Sequence, residues 1–169
     1  MWVDIGSWRW TEHPFRRWPD PQKVQSAFMG KEDKVLMGLI MLPGGEAVWN
    51  IGNPTQTSKA NILFEGTFFA GSAEAVQWLE AEFYSLHNLF LEAGAFVGDD
   101  QELLAAVLLK NHQHVMLLDV RNGSPCYDPW FVFQLFFGAD HEASTSPKLA
   151  NCEVPRITFL KRRDSFVVE

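Results

Sequence analysis

A chain of 169 residues with 47% hydrophobic and 21% charged content holds enough apolar material to close the core of one globular domain, which excludes a disordered chain. The formal charge of −7 excludes the broad basic surface of non-specific nucleic-acid binding, because neutralising phosphates takes clustered Lys and Arg. Cys126 and Cys152 are too few to frame a disulfide scaffold and lack metal-ligand spacing, and no apolar run is long enough for a membrane span.

Met1 to Ile5 reads as a short buried strand ending at Asp4-Ile5-Gly6, where glycine lets the backbone turn. Trp2, Trp8, Trp10 and Trp18 crowd a region that is normally polar at a chain end, so this aromatic face needs something to pack against. Core packing is the first reading; a protein partner at the N-terminal face and a stacking platform for sugar are the others. Thr11 to Pro21, with Pro14, Pro19 and Pro21, reads as irregular. Val35 to Met41 is the second strand, closed by Pro43-Gly44-Gly45. Ala47 to Ile51 is a third short strand, and Thr55 to Lys59 a loop.

Stronger signals begin at Asn61. Ile62-Leu63-Phe64 and Thr67-Phe68-Phe69 bracket Glu65-Gly66 and read as one strand with a glycine kink or as two short strands. Ser72 is the N-cap of the helix that follows, with Glu74 in its first turn. Val76, Leu79, Phe83, Leu86 and Phe90 fall on one face of that helix, and Gly94 fits the left-handed residue that ends it. A second helix begins in Gly98-Asp99-Asp100-Gln101-Glu102 and runs through Leu108. Val115 to Val120 and Phe131 to Phe137 have the length and composition of buried strands. Residues 139–151 read as a long loop, Arg156 to Leu160 as a last strand, and Lys161-Arg162-Arg163 as a solvated basic tail. Strands interleaved with helices predict a single α/β domain over residues 1–169, a layered mixed sheet with flanking helices.

The stretch EGTFFAGSAEAVQWLEAEFYSLHNLFLEAGAFVGDDQELL, Glu65 to Leu104, resembles a pattern found across GT-A-fold glycosyltransferases. There a glycine-bearing strand and turn precede a long helix, and an acidic-Gln turn opens the next. The stretch is similar to the HtrL/YibB-like family of proteins of uncharacterised function, whose members pair an FFGG-like turn with such an acidic-Gln turn. The glycosyltransferase domain of procollagen lysyl hydroxylases is a more distant parallel. The resemblance implies a partial GT-A-like (nucleotide-diphospho-sugar transferase) architecture, a nucleotide-sugar donor, and a glycan or other hydroxyl acceptor. It also implies that Trp2-Val3-Asp4-Ile5-Gly6 is the strand bringing an acidic residue to the donor. In many such enzymes an Asp-any-Asp motif there binds Mn²⁺ or Mg²⁺ through hard oxygen ligands. Here Asp4 stands alone, and an Asp capping the turn after a strand explains it at least as well; the metal candidates are Asp4 and, from GADHEAS, a late His141. The family pattern places a nucleotide-binding βαβ half, on the order of 100 residues, before this strand. The chain starts at the strand, so a fragment or a degenerate remnant is expected. No leader of basic-then-apolar order follows Met1, so the sequence as written reads as a soluble cytoplasmic protein unless a targeting segment preceded it.

Transfer to a hydroxyl needs a carboxylate beside the acceptor, to take its proton or to stabilise charge developing on the sugar. Asp99 and Asp100 are the catalytic candidates. Asp99 with Glu102 also makes a capping box, which accounts for Asp99 better than catalysis does and leaves Asp100 as the acceptor-side base or charge stabiliser. Glu65, Gly66, Gly71 and Gln101 are the acceptor-binding candidates, the glycines because they let backbone approach a sugar. His112 and His114 have the spacing of a metal-chelating pair, but no third ligand lies near and a surface loop is the better reading. No Ser-His-Asp order, phosphate loop or dinucleotide fingerprint is present. The expected function is therefore glycosyl transfer, with a non-catalytic binding or scaffold domain as the alternative.

Overall fold

The apolar stretches that fit no single-sided pattern lie at the centre of a sheet covered on both faces. The computed structural model describes residues 1–3, 17–41, 63–95, 97, 100–119, 130, 132–138, 155–162 and 166–168. In chain order these form β1 (Trp2–Val3), α1 (Pro21–Phe28), β2 (Val35–Met41), β3 (Leu63–Ala70), α2 (Ala73–Glu92) and α3 (Asp100–Lys110). A 3-10 turn (His112–His114) then leads to β4 (Val115–Asp119), α4 (Val132–Phe137), β5 (Arg156–Arg162) and β6 (Phe166–Val168). The strands lie in the order β1-β3-β2-β4-β5-β6, and of these neighbours only β2 and β4 run parallel, from Val35 opposite Val115 to Leu39 opposite Asp119. The fold is mixed α/β.

Val35, Met37, Leu39, Val115 and Leu117 face α2 and α3, where Leu79, Leu86, Phe90 and the whole run Leu103 to Leu109 are buried. A helix buried all round, as α3 is over that run, has to be enclosed, and α3 lies between α2 and β3. Leu36, Met116, Leu118, Phe68 and Ala70 face the other way, against Ala27 of α1 and Val132, Phe133 and Phe137 of α4. Covering both faces explains why β2 and β4 read as continuous apolar runs rather than alternating ones. Lys110 of α3 is paired with Glu82 of α2.

The amphipathic face of α2 is as expected: Leu79, Leu86 and Phe90 are buried, Val76 and Phe83 half-buried. Ser72 caps it, accepting from the Ala75 amide at 3.0 Å while its hydroxyl donates to the Glu32 carbonyl at 2.7 Å. Such a cap contributes about 1 kcal/mol. Gly94, at φ +70°, ends the helix. The segment before β2 is held from a second side, since Lys34 Nζ donates to the Gln113 carbonyl at 2.8 Å.

That segment also carries a titrating group. Backbone N–H groups, its own and then that of Gly30, hold the Glu32 carboxyl below the usual carboxylate range. A lowered folded pKa gives stability that is fully present above the unfolded pKa and is lost as pH falls through the folded one. Glu32→Gln, which cannot ionise, is therefore expected to melt below wild type at neutral pH, with the gap closing as pH drops below about 4. Because Glu32 is fully exposed, added salt should narrow the gap. Melting curves across pH 2–7 check this, and a gap that stays constant with pH would remove Glu32 from the account.

Three expectations need correction. Of the Phe131–Phe137 strand, Val132–Phe137 is helix; an apolar run this short has no period to separate strand from buried helix. Pro21, expected to close an irregular segment, instead opens α1, with the Asp20 side chain accepting from the Gln22 amide at 2.9 Å. Lys161 and Arg162, expected in a solvated tail, lie in β5 opposite Val167 and Phe166 of β6.

The segment leading into α1 closes the end of α4. Trp18 Nε1 donates to the Gln134 carbonyl, the Asp20 amide to the Phe137 carbonyl and Lys23 Nζ to the Gly138 carbonyl, at 3.1, 2.7 and 2.6 Å. These are carbonyls that a helix end leaves without an intrahelical partner. Trp18 also meets Phe133 edge-on, so it packs into the core as first read. The expected strand over Ala47 to Ile51, the loops at Thr55 to Lys59 and 139–151, and both cysteines lie outside the described residues.

Candidate functional site

The site is built on an irregularity in β3. Met37 of β2 stands opposite Phe69, but Leu39 stands opposite Phe64, so a two-residue step on β2 is matched by a longer stretch of β3. The surplus is taken up around Glu65-Gly66-Thr67, the glycine-bearing segment expected to kink. Within it, Thr67 Oγ1 donates to Glu65 Oε1 at 2.7 Å, joining the residues on either side of Gly66.

Glu65 is only 1% exposed. Its side chain lies over Gly38 of β2, where an added Cβ would come within 2.6 Å of Oε2 and 2.8 Å of the Glu65 Cβ. Gly38 sits between Met37 and Leu39, both of which face α2 and α3, so Glu65 occupies the opposite face. Gly66 presents its open side to α3. A Cβ there would meet Asp100 Oδ2 at 3.2 Å, so the Asp100 carboxylate rests against the bare α-carbon of Gly66. Asp100 is the first residue of α3 and is exposed.

Two residues separated by more than thirty positions in the sequence are thereby brought together, and they are the expected base and one expected acceptor-binding glycine. Gln101 follows Asp100 and is half-buried. Gly71 lies past the other end of β3, where an added Cβ would come within 3.1 Å of the Lys34 carbonyl and 3.2 Å of the Ala75 Cβ. Close packing of α2 on the segment before β2 thus suffices to explain this glycine. Asp99, Asp4 and His141 lie outside the described residues, although Val3, which precedes Asp4, pairs with Phe68 beside the bulge. Among the described residues no group of three or more His, Cys, Asp or Glu is placed to hold a metal ion. His114 packs its ring on Trp78, with centroids 4.9 Å apart.

Sequence reading passed over one acidic residue. Asp119, 5% exposed, ends β4 in register with Leu39, which is itself opposite Phe64. The row Asp119–Leu39–Phe64 crosses the sheet at the carboxyl ends of its parallel pair and finishes next to Glu65, in the region where α/β sheets present ligands. The only signal was a single Asp closing the apolar run Val115-Met116-Leu117-Leu118. Among the described residues, no helix is long and apolar enough to cross a membrane. No family model, curated protein or solved structure matches this chain.

Proposed function

We propose that the chain is a glycosyltransferase-like protein with a GT-A-like acceptor side, which moves a sugar from a nucleotide-sugar donor to a hydroxyl acceptor. The observation supporting this reading best is the seat of Asp100 on Gly66, an exposed carboxylate against backbone without a side chain. A hydroxyl approaching over Gly66 meets no Cβ and comes within reach of Asp100 Oδ2. Asp100 then takes the acceptor proton as the acceptor oxygen bonds to the anomeric carbon and the bond from that carbon to the diphosphate breaks, the nucleoside diphosphate leaving with the electron pair; or it stabilises positive charge developing on the donor sugar. Where the resemblance holds, Mn²⁺ or Mg²⁺ at Asp4 and His141 would carry the donor diphosphate. Chemistry at the acceptor belongs to Asp100.

A ligand that binds the native state raises its stability by mass action. UDP-sugars with Mn²⁺ are expected to raise the melting temperature of wild type and of Asp100→Asn alike. The variant should lose turnover by about 10²–10⁴-fold while keeping its fold. Undiminished turnover in Asp100→Asn would remove it from the catalytic role. No thermal shift and no turnover in wild type would favour the non-catalytic binding or scaffold reading.

A further inference from the structure

We propose that Glu65 is a positioning residue: bonded to Thr67 across Gly66 and seated over Gly38, it fixes the bulge on which the Asp100 carboxylate rests. The role assigned to Asp100 is that of the transferase reading, and the inference rests on it to that extent.

Burying a carboxylate at 1% exposure is costly, and an apolar side chain at a covered strand position avoids the cost. Phe64, Phe68 and Ala70 are such side chains on the same strand. Glu65 accepts the Thr67 hydroxyl, at 2.7 Å, which none of these side chains can do. That bond links positions i and i+2 over the residue with the greatest conformational freedom, since Gly66 has no Cβ to restrict φ and ψ. Gly38 completes the arrangement from below, because any side chain there would overlap Glu65. The contacts thus run from Gly38 through Glu65 and Thr67 to Gly66 and then Asp100, crossing the sheet from one face to the other. Glu65 therefore acts on the site from behind rather than by touching an acceptor. A reacting group displaced by about 1 Å can lose on the order of 100-fold in rate, so a support of this kind bears directly on turnover.

The test uses the full 169-residue chain labelled with ¹³C and ¹⁵N, and reads the Gly66 amide and the Asp100 carboxyl carbon by NMR. Thr67→Val removes the hydroxyl and keeps the shape; Glu65→Ala removes the acceptor; Glu65→Gln keeps an acceptor oxygen. Thr67→Val and Glu65→Ala are expected to shift both signals, and Glu65→Gln to leave both near their wild-type positions. A folded Thr67→Val whose Asp100 signal has not moved would overturn the assignment, and this variant decides alone if Glu65→Ala does not fold. Glu65→Gln shifting as far as Glu65→Ala would overturn it too. With donor and acceptor present, Thr67→Val should lower kcat on the order of 100-fold at unchanged KM. Signals that move in a chain with no transferase activity support the positioning role and sink only the transferase reading.

Discussion

Gly38→Ala is expected to destabilise the protein by about 1–3 kcal/mol, the usual cost of forcing a methyl group into filled space. The new Cβ would lie 2.6 Å from Glu65 Oε2 and 2.8 Å from the Glu65 Cβ. The carboxylate end could swing away, but the Cβ cannot move unless β3 moves with it. Swinging away also breaks the bond to Thr67 inside a covered site. Relief should therefore come from removing the whole side chain of residue 65, its Cβ included. Gly38→Ala combined with Glu65→Gly is expected to cost less than the sum of the two single changes, by more than the few tenths of a kcal/mol that unconnected sites show. Urea titrations of the three variants measure this through the midpoint at constant m. Strictly additive costs would mean that Glu65 does not lie over Gly38.

The second large effect is at α4. Phe133→Ala is expected to cost about 3–5 kcal/mol, as for other fully buried aromatics. Its ring is stacked on Phe68 at 4.6 Å and 6° and meets Trp18 edge-on at 6.0 Å. A six-residue helix has almost no stability of its own, so α4 persists because this ring and those of its neighbours are packed. Loosening α4 also loosens the carbonyls that receive Trp18, Asp20 and Lys23. Hydrogen exchange at the Asp20 amide, which donates to the Phe137 carbonyl, should therefore speed up more than exchange in α2. Equal acceleration in both would show that α1 and α4 are not one local unit.

How far the sequence foretold these features depended on how local each one is. β2 and β4 were legible because strands covered on both faces are apolar throughout, and α2 because its core face, Ser72 and Gly94 all agree. α4 was misread because Val132 to Phe137 offers no polar residue on a second face to establish a period. α1 is hidden in the sequence because Pro19 and Pro21 read as breakers, although Asp-Pro at the front of a helix is a start signal. At the site, Gly66 and Asp100 were legible only as separate members of one motif, since their contact depends on how α3 packs on β3. The face taken by Glu65 had no such signal, because an irregularity in β3 breaks the alternation from which a facing would be read. Gly38 read only as a glycine within a strand; its reason, a carboxylate above it, belongs to another strand.

The pairing of α1 with α4 bears on how the chain is made. Its side-chain bonds join residues 116 and 115 positions apart, and the parallel partner of β2 is likewise distant. Synthesis adds about 5–20 residues per second, so Trp18 and the apolar length of β2 wait several seconds for the strand and helix that cover them. Contacts this far apart also slow the folding search itself. For that interval the nascent chain offers an uncovered aromatic and a strand edge that β4 has yet to pair, the kind of surface through which partly folded chains aggregate.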